Sequence, residues 1–383
     1  MAKTSITLGI AVSLSGRYAL LGRQVLEGLE CYVRDINAAG GMLLKSEGKR
    51  LPVALMVEDD ESDESKIRNL IEKLIRQDQI DLLMGPYGSG LTLAAAEMAD
   101  AFQYVLWNHS GSSDEIFECN LSSVVGLLTP ASLYLCAILD LTKTLDPAAK
   151  RVALFSTKTG FAADMAAGAL AWIKREGYTL TLHQSYTSGL EDFRPLLGLI
   201  KDDPPDIFLS VGRVEDDILL GRQLRELKPR IKAAGLVVAA ISRFKAALRE
   251  QADGFLAPSQ WEPQVRYPVD CGLSEEEFLT HYLKSATVPI DYPAAQGYAA
   301  GVVVQRCVEE VGSLDQKALR EAASRLRFTT FYGPYAIDAK TGRQTAHPLL
   351  VTQWQKGRKE IVWPREVAEV QPVYPGPLFS SEF

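Results

Sequence analysis

Five cysteines and four histidines are scattered through 383 residues, and no apolar run nears the roughly 20 residues of a membrane-spanning helix. The longest such stretch, Leu133 to Leu141, is broken by Tyr134 and Asp140. No cysteine pair has CxxC spacing and no histidine lies close by in sequence, which excludes a disulfide scaffold or a zinc knuckle. Cys31, Cys136 and Cys307 fall in helical patterns and read as buried thiols; with Cys119 and Cys271 the odd count leans towards a reducing compartment. A basic surplus is missing too. Lys plus Arg number 41 against 48 Asp plus Glu, a net charge of −7, so affinity for DNA or RNA through phosphate neutralisation is not expected.

The signatures of catalysis are also missing. Tyr87 and Asn108 stand where a G-x-S-x-G elbow would need glycine before Ser89 and Ser110. There is no G-x-x-x-x-G-K-[ST], no H-E-x-x-H and no G-x-G-x-x-G turn after the first strand. Only His109 falls in a loop at a strand end, and its neighbour Ser110 is too close in sequence to make a catalytic pair by default. The expectation is a protein that is not an enzyme and holds neither cofactor nor metal.

What is present is 47% hydrophobic and 23% charged residues, the balance of a folded chain long enough for two domains. Strand and helix alternate over the first 130 residues. Ile6 to Val12, Leu51 to Val57, Asp81 to Met84 and Tyr104 to Trp107 read as strands. Helices stand between them: one with Leu26, Leu29, Val33 and Ile36 on a stripe, one with Ile67, Leu70, Ile71, Leu74 and Ile75, and one over Ala94 to Ala101. Single-helix connections imply parallel strands, with ligands bound beyond their carboxyl ends. The pattern restarts at Pro130, with strands at Val152 to Phe155, Thr179 to His183, Ile207 to Val211 and Gly235 to Ile241. Helices are expected at Pro130 to Leu141, Ala162 to Lys174, Phe193 to Lys201 and Asp216 to Leu227, and later at Glu275 to Lys284, Ala294 to Val311 and Asp315 to Leu326. Phe331 to Asp338 and Leu349 to Gln355 read as strands. Pro364 to Phe383, with four prolines, reads as an extended tail.

Four segments in this order carry a resemblance. They are Ser13-Leu14-Ser15-Gly16-Arg17-Tyr18 with Gly22 and Gly28; Asp35-Ile36-Asn37-Ala38-Ala39-Gly40-Gly41; Val57-Glu58-Asp59-Asp60-Glu61-Ser62-Asp63; and Gly85-Pro86-Tyr87-Gly88-Ser89. Gln260-Trp261-Glu262-Pro263, Tyr292-Pro293-Ala294-Ala295 and Thr329-Thr330-Phe331-Tyr332-Gly333-Pro334, with Asp338 and Gly342, follow. Together they resemble the type I periplasmic binding proteins of the leucine/isoleucine/valine class. The resemblance implies an α/β fold of two doubly wound, Rossmann-like lobes joined by a hinge of three crossovers, near Thr129, Pro258 and Phe331. The lobes would be 1–129 plus 259–331 and 130–258 plus 332–363, with 364–383 as the tail. It also implies a ligand trapped between the lobes, a membrane permease of an ABC transporter as partner, and a monomer that does not enter the membrane itself.

Ser89 opens a helix, where free N–H groups favour an anion; a plain capping serine is the alternative. The resemblance implies that Ser89 holds a ligand carboxylate, that Ser110 offers backbone and that Ser112 offers a hydroxyl. Phe161 matches an aromatic cover, and Tyr18, Trp107 and Trp261 are further candidates for pocket wall, with ordinary packing favoured for Trp107. Amino-acid binders of this class pair the ligand ammonium with an acid, yet Val238-Ala239-Ala240-Ile241-Ser242-Arg243 contains none. Glu215 or Asp216 would have to replace it, or the ligand has no ammonium and Arg213 adds an anion contact.

The resemblance, which covers nearly the whole chain, makes an amino acid the first expectation. A non-amino, aromatic carboxylic acid is the second, and a cytosolic ligand-sensing regulator of the amide-sensor type the third. Met-Ala-Lys-Thr-Ser-Ile lacks a signal-peptide pattern. That leaves a cytoplasmic protein, or a periplasmic one beginning at its mature end, which the resemblance favours.

Overall fold

In the computed structural model, which describes residues 3–376, Ile6–Val12 is the inner strand of a five-stranded sheet because both its faces are apolar. Ile6, Leu8, Ile10, Ala11 and Val12 are all buried. It pairs in parallel with Val53–Asp59 on one side and Leu82–Met84 on the other. Leu106–Asn108 and Val124–Gly126 complete the sheet, also in parallel. In chain order the strands lie 2-1-3-4-5. The order reverses between the first and third strands, and ligands of such sheets bind outside the carboxyl ends at that reversal.

The sequence reads on in a second seven-stranded sheet. Arg151–Thr157, Thr179–Tyr186, Ile207–Val211, Ala233–Leu236 and Leu256–Ser259 repeat the 2-1-3-4-5 order in parallel. Leu350–Gln355 and Arg358–Trp363 extend it as an antiparallel pair. Neighbouring residues of its inner strands point to opposite faces. Leu154 and Leu209 join one core with Leu135, Ile138 and Met165, while Phe155 and Phe208 join another with Phe193, Leu224 and Phe244. A sheet covered on both faces explains the unbroken apolar runs of its strands.

The chain divides into two compact units, 1–130 with 261–348 and 131–260 with 349–383. The third junction was expected near Phe331, and this is corrected: residues 332–348 pack with the first unit. The Gln344 amide donates to the Leu127 carbonyl, and the Tyr332 hydroxyl accepts from Gln296. Val237–Ala240 is a turn of 3-10 helix, not the end of a strand. Of the helix expected over Phe193 to Lys201, only Arg194–Leu197 is α-helical, continued by a 3-10 turn. Residues 364–376 dock on the second unit, where Val370 and Tyr374 pack on its core and Val373 bonds Gln353 through both backbone groups. The rest of the expected tail, 377–383, lies outside the described residues.

One helix pair stiffens the first unit. Ala19–Ala38 and Tyr292–Val311 approach backbone to backbone: a Cβ on Gly28 would collide with the Ala294 carbonyl, and one on Gly297 with that of Val25.

Candidate functional site

At the strand reversal of the first unit, the loop after Ile6–Val12 is braced by the loop after Val53–Asp59. Ser13 Oγ donates to Asp60 Oδ1 at 2.5 Å, Leu14 N to Asp59 Oδ1 at 2.9 Å and Ser15 Oγ to Asp59 Oδ2 at 2.8 Å. Burial raises the pKa of Asp60. Tyr18 N donates to Ser62 Oγ, which sets Tyr18 half-buried and edge-on to Tyr87, ring centroids 5.6 Å apart. The Tyr87 and Tyr292 hydroxyls meet at 2.6 Å.

The loop after Leu82–Met84 turns into helix Ser89–Ala101 through Gly88, whose φ of +97 suits glycine alone. Ser89 Oγ accepts from the backbone N–H of Ser112 (3.2 Å) and of Ser113 (3.1 Å). A hydroxyl oxygen has two lone pairs and one proton. Both lone pairs are filled, so the Ser89 proton is left to donate at a helix N-terminus, where the dipole favours an anion. Ser112 lies beside it, 4% exposed, and its hydroxyl bonds to none of the described residues. Asn108 shapes the intervening turn: Oδ1 accepts from Ser110 N and Gly111 N, and Nδ2 donates to the Gly111 carbonyl.

Ser110 is turned inwards, its hydroxyl between His109 Nδ1 (2.6 Å) and Gln296 Oε1 (3.3 Å) and its N–H on Asn108. It shapes the turn, and neither its hydroxyl nor its amide is free for a ligand. Burial lowers the pKa of His109 to about 4, the Gly85 carbonyl working against it, so the ring is neutral near pH 7. Trp107 takes the packing role favoured for it from sequence, and Trp261 is corrected as pocket wall. Trp107 is fully buried; Trp261 is 1% exposed, edge-on to Phe278 and Phe331, and donates to the Phe331 carbonyl.

At the matching reversal of the second unit, Thr159 caps helix Gly160–Arg175 and Phe161 sits in its first turn. Phe161 is half-buried and edge-on to Tyr134, whose hydroxyl accepts from Gln260. Arg213 is exposed at the start of helix Val214–Leu227. The two acids proposed from sequence are both engaged. Glu215 is exposed and ion-paired with Arg243. Asp216 is buried, accepting from Ser188 Oγ at 2.6 Å, Gly189 N at 2.8 Å and Arg213 N at 3.3 Å. Over Val237–Ala240 no acid appears; instead Lys359 Nζ donates to the Ala240 carbonyl at 2.8 Å.

Two residues escaped the sequence reading. Asp217 is wholly buried, bonded by Ser210 Oγ at 2.7 Å and Val238 N at 3.2 Å, and desolvation raises its pKa to about 6. As the third of three consecutive acids it gives no signal in sequence. Gln296 is the other, a wholly buried amide. Its signal was there: a lone polar residue among Ala294, Ala295, Tyr298 and Ala299. Among the described residues no group of three or more His, Cys, Asp or Glu could hold a metal ion.

Comparison with known proteins agrees with this architecture. A family model described as periplasmic binding protein matches residues 5–359. A Leu/Ile/Val-binding protein homolog 7 of Brucella abortus is 23% identical over 396 aligned positions, covering 96% of this chain and 93% of that protein. A solved structure described as a putative branched-chain amino acid ABC transporter from Silicibacter pomeroyi superposes with a TM-score of 0.86 at 16% identity, covering 98% of this chain and all of that one. A solute-binding protein from R. palustris in complex with benzoate gives 0.73 at 19% identity, covering 97% of each chain. At these identities the solved structures establish the fold.

Proposed function

We propose that the chain, which belongs to the periplasmic binding protein family, is the solute-binding component of an ABC-type importer and takes up a small carboxylate, an amino acid in the first reading. The observation that carries this is Ser89, with both lone pairs filled by backbone N–H groups, those of Ser112 and Ser113, and its proton left to donate. Hydroxyl donors at a helix N-terminus suit a carboxylate. Tyr18 supports the reading as an aromatic wall next to Gly88, and Phe161 is its counterpart in the second unit. Delivery falls to a membrane permease, since among the described residues no helix is long and apolar enough to cross a membrane. The working compartment is then the periplasm.

A second reading, a carboxylate without an ammonium, is favoured by a specific observation. Glu215 is engaged by Arg243, Asp216 by three donors, and a lysine stands at Ala240 where an acid would serve an amino acid. An ammonium left unpaired in a dry site is costly.

Calorimetric titration with L-isoleucine and with benzoate tests both readings. We expect one of the two to bind the wild-type chain, and Ser89→Ala to weaken it by about tenfold or more, since a hydrogen bond to a charged group contributes about 1.5–3 kcal/mol. An unchanged affinity in Ser89→Ala, or no binding of either acid, would overturn the proposal.

A further inference from the structure

Behind the serine turn runs a buried polar chain, all within the first unit. It starts at His109 Nδ1, 2.6 Å from Ser110 Oγ, and passes from Ser110 Oγ to Gln296 Oε1 at 3.3 Å. Gln296 Nε2 then donates to the Tyr332 hydroxyl at 3.0 Å. The Tyr332 ring lies flat on His347, centroids 4.5 Å apart with an interplanar angle of 1°, and the His347 carbonyl accepts from Thr129 Oγ1 at 2.7 Å. None of these residues is more than 9% exposed. The far end has a particular place in the chain. Thr129 and His347 each stand one residue before the last of a first-unit segment, at the junctions 130/131 and 348/349. At the third junction, Trp261 bonds the carbonyl of Phe331, the neighbour of Tyr332.

The direction of the bonds is defined by chemistry. With Gln296 Nε2 donating to Tyr332, Oε1 can only accept, so Ser110 gives its proton to Gln296. His109 Nδ1 must then be the protonated nitrogen and donate to Ser110 Oγ. Every hydroxyl and amide in the middle of the chain thus has one defined role, and a small displacement of the turn cannot be absorbed by a change of partner. Gln296 itself cannot yield. It rides on helix Tyr292–Val311, seated backbone to backbone on Ala19–Ala38 one residue away, at Gly297. A side chain on a rigid element transmits or resists a displacement better than one on a loop.

We propose that Gln296 is a positioning residue that couples the ligand-binding turn Ser110–Ser113 to the segments by which the chain leaves the first unit. This rests on the reading that a carboxylate binds Ser89 and Ser112. Ligation there pulls the turn, Ser110 moves with it, and the amide of Gln296 hands the constraint to Tyr332, His347 and Thr129. The site and the junctions then tighten together.

Amide hydrogen exchange on the full chain tests this, with L-isoleucine and benzoate as probes. In the wild type, the acid that binds should slow exchange over 110–113 and also over 127–129 and 345–347. Couplings of this kind alter a local equilibrium by about twofold to thirtyfold. Tyr332→Phe removes one oxygen and keeps the ring on His347. It should leave the protection of 110–113 in place and abolish the added protection of 127–129 and 345–347. Gln296→Met, of similar volume, should do the same; if it does not fold, Tyr332→Phe decides alone. Protection that still reaches 345–347 in Tyr332→Phe, or that never reaches it in the wild type, overturns the coupling while the ligand site stands. If neither acid protects 110–113, the site itself is wrong and the coupling falls with it.

Discussion

The two units share one strand order, yet their strand-end loops handle charge in opposite ways. Lys and Arg number 20 against 29 Asp and Glu in the first unit, and 21 against 19 in the second, so the chain's surplus of acid lies wholly in the first. The acidic unit nevertheless carries the donors suited to an anion: the hydroxyls of Ser89 and Ser112 at a helix N-terminus. In the balanced unit, carboxylates crowd the corresponding place, and Glu215, Asp216 and Asp217 are each engaged by groups of the protein. Net charge sets the far field, but on the proposed reading the proton free to donate selects the ligand.

The largest expected effect concerns rigidity. Gly28→Val drives a branched side chain into the Ala294 carbonyl, so the two helices must part and Gln296 moves with them. Overpacking against backbone should cost about 3 kcal/mol or more. Gly160→Ala in the second unit, where a Cβ meets nothing within 4 Å, should stay within about 0.5 kcal/mol of wild type. Urea unfolding compares them. Equal, small losses would mean that the first unit has no rigid seam.

Next comes pH, where the units should diverge in sign. His109 titrates at about 4 when folded, against 6.5 for an ordinary histidine. The unfolded chain binds the extra proton in that window, so its stabilisation is whole above pH 6.5 and is lost as pH falls towards 4. Asp217 titrates at about 6, against 3.8. Here the folded chain holds the extra proton, so stabilisation is whole below pH 3.8 and is lost as pH rises through 6. Each amounts to about 3 kcal/mol across its window. Both windows cover about pH 4 to 6, so over that range His109→Gln should remove a rise of stability with pH and Asp217→Asn should remove a fall. Two variants that change the slope in the same direction would break the contrast.

How far all this could be read from sequence differs between fold and site. Alternating apolar strands and striped helices carry the parallel order, because burial on both faces leaves its mark along the chain. Val124–Gly126 left none: three residues between turns are too few for a pattern. Val237–Ala240 reads as strand by composition, yet closes into a 3-10 turn whose Ala239 carbonyl accepts from the Trp354 indole. Helix Ser89–Ala101 was legible from its local glycine and serine signals, whereas Ser112 was singled out only through the resemblance. That Ser110 turns inwards was not, since its partner Gln296 is 186 residues away. The same holds for Trp261, whose aromatic neighbours come from distant segments.

The smallest expected effect sharpens the comparison most. From sequence, Glu215 and Asp216 were the two acids that could take over an ammonium. Glu215 lies in solvent with Arg243 as its partner, and an exposed pair contributes little. Glu215→Gln should therefore leave the affinity for L-isoleucine or benzoate within about twofold, because a solvent-exposed charge already paired with Arg243 is screened. Asp216→Asn serves as its control. It keeps an oxygen that can accept from Gly189 N but puts an NH2 donor where Oδ2 accepted from Ser188 Oγ and Arg213 N, so it should lower the melting temperature without discriminating between the two acids. Calorimetric titration of both variants with both probes gives the answer. If Glu215→Gln abolishes binding of L-isoleucine and spares benzoate, the balanced unit does supply the counter-charge, and the division of labour drawn between the units is wrong. If neither variant separates the two acids, the ligand is recognised through its carboxylate by the first unit.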